Sequence, residues 1–260
     1  MTGKLEGKTA IVTGGSGGLG SAFSLALANA GANVGVAFIG NPAPANELVV
    51  QIRALGVKSV ALEADITDPV AVKAIFAQAD SDLGMVDILV NNAGIDGVRA
   101  RAWEVDAAKW RKTLEVNLFG AFHCAQEALS RMVVRKSGVI INITSVHEVI
   151  PWGGYSAYTA SKAGLGMLTK TLAQEAAEFN VRVLALAPGA VQTPINQSVW
   201  SDAGGLADLN KKIPMGRMGQ ADEIGRVLVN LSSDDSSYLT GTTVFVDGGI
   251  TLYADFAHGG

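Results

Sequence analysis

A chain of 260 residues, 48% hydrophobic and 17% charged, is long enough for one large buried core and shows no disordered or fibrous composition. A formal net charge of −4 without any basic run argues against a phosphate backbone as partner, so nucleic acid is excluded from the expected ligands. A single cysteine, Cys124, excludes an internal disulfide framework and reads as a small apolar filler. No segment has the form of a signal peptide or the length of a membrane span, so the expectation is a cytoplasmic chain without a membrane partner.

Short β-branched runs alternate with longer helical patterns. "TAIVTG" reads as a strand, residues 21–30 as a helix, "NVGVAF" as a strand and 45–55 as a helix. "SVALEA" and a helix over 69–82 follow, then "VDILVNNAG", one long helical stretch from about 107 to 135, and "GVIINITS". A helix over about 155–179, the strand "VRVLALAPG", a helix over 222–231 and the strand "TTVFVDGG" complete the chain. Seven nearly continuous apolar strands separated by helices predict an α/β fold, a doubly wound parallel sheet covered on both faces. Only the stretch from Pro188 to about Lys212 lacks pattern, and an irregular segment of that length inside one domain predicts a lid or substrate loop, about residues 189–215.

The first strand runs into "TGGSGGLG" at 13–20, five glycines in eight positions. Read as Gly15-x-Gly17-x-x-Gly20, or as Thr13-Gly14-x-x-x-Gly18-x-Gly20, the spacing suits a backbone that approaches a pyrophosphate at a helix N-terminus. A plain strand-to-helix turn is the alternative on this octet alone. Further on, Tyr158 and Lys162 lie four apart, on one helix face, and the rise of about 6 Å lets the ammonium reach toward the phenol. A phenol titrating near 10 is a poor base at neutral pH. Lowering it by about three units needs roughly 4 kcal/mol of preferential phenolate stabilisation, for which Lys162 and a cationic nicotinamide are candidates. Tyr155 stands seven residues from Lys162, two turns away, and reads as a packing or pocket residue. Asp68, before Pro69, reads as a helix cap.

The glycine octet, "NNAG" at 91–94, "ITS" at 143–145 and Tyr158-x-x-x-Lys162, in this order, resemble the short-chain dehydrogenase/reductase family over essentially the whole chain. The resemblance implies a single Rossmann-type domain using NAD or NADP, no metal, and a homotetramer. It implies catalytic roles for Asn117, Ser145, Tyr158 and Lys162, with Ser145 holding the substrate oxygen and Asn117 supporting a water that links Lys162 to solvent. For the cofactor it implies Gly14, Ser16, Gly18, Leu19 and Gly20 in the loop, Phe38 after the second strand, and Asp65 and Ile66 beside adenine. Asn91, Ala93 and Gly94 are expected near the ribose, and Pro188, Gly189, Val191 and Thr193 near the nicotinamide, with Tyr158 and Lys162 completing that set.

Residues 38–41 carry neither the acid that holds ribose hydroxyls nor the base that holds a 2′-phosphate, and Gly17 stands where NADP users often carry Arg or Lys. A dianion left unpaired costs more than a hydroxyl left to water, so NAD is the expected cofactor, with NADP possible. The stretches 144–152, 188–196, 213–219 and 236–256 resemble the glucose 1-dehydrogenases of this family. That likeness implies a sugar substrate met by Asp96, His147, Asn196 and the region of Ala257 and His258, together with Ser145 and Tyr158. Asp96 departs from the Glu those relatives tend to have. Arg99 and Arg101 are explained first by surface ion pairing and otherwise by an anionic sugar bearing a sulfo or phospho group. The expected reaction is oxidation of the anomeric carbon of an aldose to a lactone. A carbonyl or 3-oxoacyl thioester reductase is the alternative, and outside enzymes a catalytically silent dinucleotide-binding regulator.

Overall fold

Neighbouring residues of each strand point to opposite faces, and the apolar residues divide accordingly. In a computed structural model that describes residues 3–193 and 200–252, Ala10, Val12, Val34, Val36, Ile88, Val90 and Ile141 join a core on one face of the sheet. Ile11, Ala37, Leu89, Ile140 and Val183 join the core on the other face. The strands are β1 (Thr9–Val12), β2 (Asn33–Phe38), β3 (Ser59–Glu63), β4 (Ile88–Asn91), β5 (Gly138–Ile143), β6 (Val181–Pro188) and β7 (Thr243–Val246). All pair in parallel, in the order β3-β2-β1-β4-β5-β6-β7. The protein is therefore a single-domain Rossmann-like α/β fold.

Three helices, α1 (Gly18–Asn29), α2 (Ala43–Ala54) and α8 (Ala221–Ser232), cover the first face through residues such as Phe23, Leu27, Ile52 and Leu228. The second face is covered by α3 (Pro69–Leu83), α5 (Ala121–Arg135) and α6 (Ser156–Ala176), with Phe76, Met132 and Leu172 inward. Each such apolar side chain contributes about 1.5–3 kcal/mol when fully buried. Cys124 is fully buried among them, and burial pushes its thiol up to about 12, which makes it the inert filler expected. Asp68 does cap α3: its carboxylate accepts the Val70 N–H at 2.8 Å, ahead of Pro69 in the first turn.

Two expectations about elements need correction. The helix expected over 107–135 is two helices, α4 (Ala107–Leu114) and α5, separated by a π-helical turn, Glu115–Gly120. Within that turn the Asn117 side chain is bound at both ends by the Ile95 backbone, and Ile66 lies against Gly120, where a Cβ would come within 2.6 Å of it. The segment 188–212 is not patternless throughout, because α7 (Ala203–Asn210) lies within it. Asp202 accepts the Gly205 N–H at 2.7 Å and starts this helix, which the Gly204-Gly205 pair disguises in the sequence.

The order of strands reverses its direction of growth between β1 and β4. In open parallel sheets, ligands bind in the crevice outside the carboxyl ends of the strands at such a point.

Candidate active site

The glycine octet leaves β1 at this crevice and enters α1. Its glycines have different causes. A Cβ on Gly20 would lie 2.0 Å from the Gly14 carbonyl oxygen, and one on Gly15 would lie 2.7 Å from the Val12 carbonyl oxygen. Those two are required by the protein's own packing. Gly14 and Gly18 have φ of +59° and +45°, the left-handed region that favours glycine. Gly17 is the N-cap of α1 in extended backbone, with nothing within 4 Å of its would-be Cβ, and α1 has neither a side-chain cap nor an acid in its first turn. Such an uncapped N-terminus, approached by glycines, fits a pyrophosphate. Ser16 and Leu19 lie half-buried on the same turn.

"NNAG" is stitched to that loop. Thr13 Oγ1 accepts the N–H groups of Asn92 and Ala93, each at 3.0 Å, and Asn92 Nδ2 donates to the carbonyls of Thr13 and Gly14. Neither Thr13 nor the Asn92 side chain was assigned this part from the sequence, where the motif letters alone carried the resemblance. Asn91 is 3% exposed, and its side chain donates inward to the Ala121 carbonyl and to Asn142 Oδ1. Any contact it makes with a ribose falls to its main chain.

Gly94 borders Asn117 and Lys162. A Cβ there would lie 3.2 Å from Asn117 Oδ1 and 3.6 Å from Lys162 Nζ, so the absence of a side chain keeps these two groups adjacent. Asn117 donates to the Ile95 carbonyl (2.8 Å) and to Ser161 Oγ (3.0 Å), and accepts the Ile95 N–H (2.8 Å). Lys162 is buried, and its Nζ donates to the Ile143 carbonyl at 2.8 Å, at the end of β5. Burial pulls its ammonium down to about 8, against the opposing pull of Asp96.

Tyr158, one turn earlier on α6, has its ring 5.7 Å from Lys162 Nζ. Burial pushes its phenol up to about 12; a hydrogen bond with Ser145 works against this, and the Asp96 charge adds to it. The expectation that Lys162 lowers this phenol is therefore not met by the chain alone. Ser145 follows β5 and caps a short 3₁₀ turn, Val146–Glu148, accepting the His147 N–H at 3.2 Å. His147 Nδ1 lies 3.0 Å from the Ile150 carbonyl, so the neutral ring carries its proton there and leaves Nε2 as an acceptor. Burial lowers the pKa of this imidazole, opposed by the Ile150 hydrogen bond and by Asp96.

Beside Tyr158 stands a three-ring stack that the sequence did not announce. Trp152 has His147 on one stacked contact (4.5 Å) and Tyr155 on another (3.9 Å), and Tyr158 meets it edge-on at 6.0 Å. Tyr155 is the packing residue expected. Trp152, 38% exposed, had no signal beyond an aromatic residue in a Gly-rich loop ahead of a helix.

Asp96 is exposed at the end of the same crevice, within electrostatic reach of His147, Tyr158 and Lys162. The surface ion pairs expected for Arg99 and Arg101 are not found among the described residues, where neither arginine meets a carboxylate. Arg101 instead lies over the Trp103 ring at 5.7 Å. Arg99 crosses Gly154, its Cγ 3.2 Å from where a Cβ would stand, and Ala100 N–H bonds the Gly154 carbonyl.

Phe38 is a core residue almost wholly buried, so Ile39, 67% exposed, presents the side chain at the end of β2. Asn41 is turned to the Ala43 N–H. Asp65 Oδ1 accepts both the N–H and the hydroxyl of Thr67, bonds that hold its carboxyl below the usual range. Ile66 is buried and its carbonyl meets His123 Nδ1 at 3.2 Å. Pro188 ends β6, Gly189 is packed on Asp247, Val191 bridges to Gly219, and the Thr193 carbonyl accepts from Trp200 Nε1. Asn196, Ala257 and His258 lie outside the described residues.

Fold and site together define the class, a Rossmann-type α/β oxidoreductase. A protein-family model described as enoyl-(acyl carrier protein) reductase matches residues 14–251. The chain is 44% identical over 256 residues to 3beta-hydroxysteroid dehydrogenase 1 of Eggerthella lenta, covering 98% of each. It is 38% identical to glucose 1-dehydrogenase 2 of Bacillus subtilis over 250 residues, 96% of each chain. A crystal structure of a gluconate 5-dehydrogenase from Burkholderia cenocepacia, in complex with NADP and tartrate, matches with a TM-score of 0.90 at 34% identity, covering 96% of this chain and 97% of that one. The chain belongs to the short-chain dehydrogenase/reductase family and is an NAD(P)-dependent enzyme acting on CH–OH or carbonyl groups. No helix among the described residues is long and apolar enough to cross a membrane.

Proposed function

We propose that this enzyme is an NAD-preferring sugar 1-dehydrogenase that oxidises the anomeric carbon of an aldose to the lactone. The observation that carries this reading is the set of polar side chains beside Tyr158: Ser145 hydrogen-bonds its phenol, His147 meets its ring edge-on at 6.2 Å, and the Asp96 charge acts on both. Donors and acceptors arranged for hydroxyls reject analogues that lack them, because the site's own polar groups are then left unpaired. The similarity to a glucose 1-dehydrogenase supports it.

NAD would be held at the glycine loop, by Gly14, Gly18 and the uncapped N-terminus of α1, and would supply a hydride acceptor for the anomeric carbon. Ser145 holds the substrate oxygen and Tyr158 takes its proton as the carbon–oxygen double bond forms. Because burial and the Asp96 charge keep the phenol high, the base form depends on added positive charge beside it, for which the Lys162 ammonium, 5.7 Å from the ring, and the cationic nicotinamide are the sources in this reading. Asn117 keeps the Ile95 backbone and Ser161 in place beside Lys162, on the route by which the proton reaches solvent. The uncharged stretch 38–41 and the open Gly17 support NAD over NADP. Residues 189–215 act as the lid in this reading, and the enzyme works as a cytoplasmic homotetramer, which light scattering checks.

Arg99, without an ion pair among the described residues and laid across Gly154 at the rim, supports the anionic version of the substrate. A 6-sulfo or 6-phospho aldose then exceeds glucose in kcat/KM, and Arg99→Ala removes the advantage while Arg101→Ala, on the Trp103 side, does not.

A second reading, oxidoreduction of a secondary alcohol or ketone on an apolar skeleton, draws support from the Trp152 stack, from exposed Ile95 and Val98, and from the steroid dehydrogenase relative. The deciding experiment is a panel of neutral aldoses, anionic aldoses, hydroxysteroids and 3-oxoacyl thioesters with both cofactors in both directions. Lactone formation with NAD is the expected result. Turnover of a steroid or thioester with no aldose oxidised overturns the proposal, and cofactor binding without any turnover would leave a silent regulator.

A further inference from the structure

One carboxylate close to the site has no part in this chemistry. Glu148 closes the 3₁₀ turn Val146–Glu148, which Ser145 caps and which contains His147, and its Oε1 accepts the Thr243 hydroxyl at 3.0 Å, at the start of β7. Oε2 is buried and, among the described residues, bonds to nothing. The same carboxylate fills the space at Gly166, one turn beyond Lys162 on α6. A Cβ on Gly166 would lie 2.3 Å from Glu148 Cδ and Oε1. Gly inside a helix is less favourable than Ala by about 1 kcal/mol, so a glycine in the middle of α6 calls for a reason. Its reason is the carboxylate lodged against it.

We infer that Glu148 is a positioning residue, a peg that joins the Ser145–Glu148 turn to both β7 and α6 and so fixes Ser145 and His147 relative to Tyr158. The physical argument is geometric. In the 3₁₀ turn Glu148 N donates to the Ser145 carbonyl, His147 N to Ser145 Oγ, and Val149 N and Ile150 N to the Val146 carbonyl, all within the turn and the residues next to it. None of these reaches another element, and the Ser145–Tyr158 hydrogen bond ties only the first end of the turn to α6. Glu148 fixes the other end, because its side chain leaves the turn and is held between β7 and α6. The burial of an oxygen without a partner destabilises the fold, and a cost of this kind persists where position matters more than stability. This inference rests on the assignment of Ser145 to the substrate oxygen.

The test uses four variants of the full-length enzyme, assayed for kcat, KM for substrate, Kd for NAD and Tm. Glu148→Ala frees the turn, and kcat falls on the order of tenfold or more, since a displacement of about 1 Å at a reacting group can cost a hundredfold. Gly166→Ala drives the carboxylate out of its slot and produces the same loss of kcat, while the added helix propensity keeps Tm at or above that of the parent. Glu148→Gln keeps the acceptor for Thr243 and the shape of the peg, and recovers most of the activity. NAD binding is unchanged in all three. Ser145→Ala is the control for the site: a loss of at least a hundredfold keeps the assignment on which the inference rests. If Ser145→Ala is harmful while Glu148→Ala and Gly166→Ala stay within twofold, Glu148 is packing only and the inference is overturned by itself. If Ser145→Ala is harmless, the reading of the site fails first. A Gly166→Ala variant that loses Tm and NAD binding together with kcat also overturns it.

Discussion

The two halves of the crevice are built from different materials. On the expected nucleotide side, between β1 and β4, backbone approaches backbone at Gly14 and Gly20, and the Thr13 and Asn92 side chains pin the two loops by hydrogen bonds to main-chain groups. On the substrate side, after β5, side chains do the positioning: rings stack on Trp152, Lys162 reaches the Ile143 carbonyl, and Glu148 fills the slot at Gly166. At Gly15 and Gly20 the first half has no room for an added atom, whereas the second depends on atoms being present. A site made of backbone is common to many substrates, and a site made of side chains can be changed without altering the fold.

The largest effect expected belongs to the side-chain half. Tyr158→Phe lowers kcat at least a hundredfold with cofactor binding retained, within the range for acid–base catalysis, and Tyr155→Phe has a much smaller effect. Steady-state kinetics on both variants checks this; equal losses would break the assignment of the proton acceptor.

Next comes the backbone half. Gly20→Ala sets a Cβ 2.0 Å from the Gly14 carbonyl and destabilises the fold by about 1–3 kcal/mol in denaturant unfolding, as overpacking does. Gly17→Ala meets open space, keeps stability within about 0.5 kcal/mol, and changes only cofactor affinity. If the two alanines behave alike, the distinction between internally required and ligand-facing glycines is lost.

Lys162 links the halves through pH. Burial pulls its ammonium down to about 8 in the folded chain, from 10.5 for a free side chain. Between those values the unfolded state binds more protons, so stability rises with pH, by at most about 1.4 kcal/mol per unit for one group. The stability of the parent measured against Lys162→Met should therefore improve from about pH 8 toward 10, above which Tyr158 acts in the opposite direction. A gap that stays constant with pH would remove the buried ammonium from the account.

The smallest change is in cofactor choice. Ile39→Arg places a guanidinium at the end of β2 and shifts preference toward NADP by about tenfold, the value of one charge-assisted contact of roughly 1.4 kcal/mol, as measured by the ratio of kcat/KM for the two cofactors. Parent enzyme that already prefers NADP would refute the reading of residues 38–41.

By itself the sequence determined the seven-stranded parallel sheet, the loop at 13–20, the Asp68 cap and the placing of Tyr158 and Lys162 on one helix face, because each is written in a local period or a fixed spacing, while Asn117, His147 and Asp96 entered only through the family resemblance. β-Branched runs mark buried strands, and an i to i+4 step sets Tyr158 and Lys162 on one face. Tertiary structure alone decided that Asn91 turns inward, that Arg99 and Arg101 lack the expected carboxylate partners among the described residues, and that the helix over 107–135 is interrupted at Asn117. It alone put Trp152 between His147 and Tyr155, and Glu148 against Gly166, eighteen residues further along the chain. The reason is one of range. Period and spacing report what a residue does within its own turn or strand, whereas a stack or a filled slot exists only once separate elements have packed at a definite distance, which no local pattern encodes.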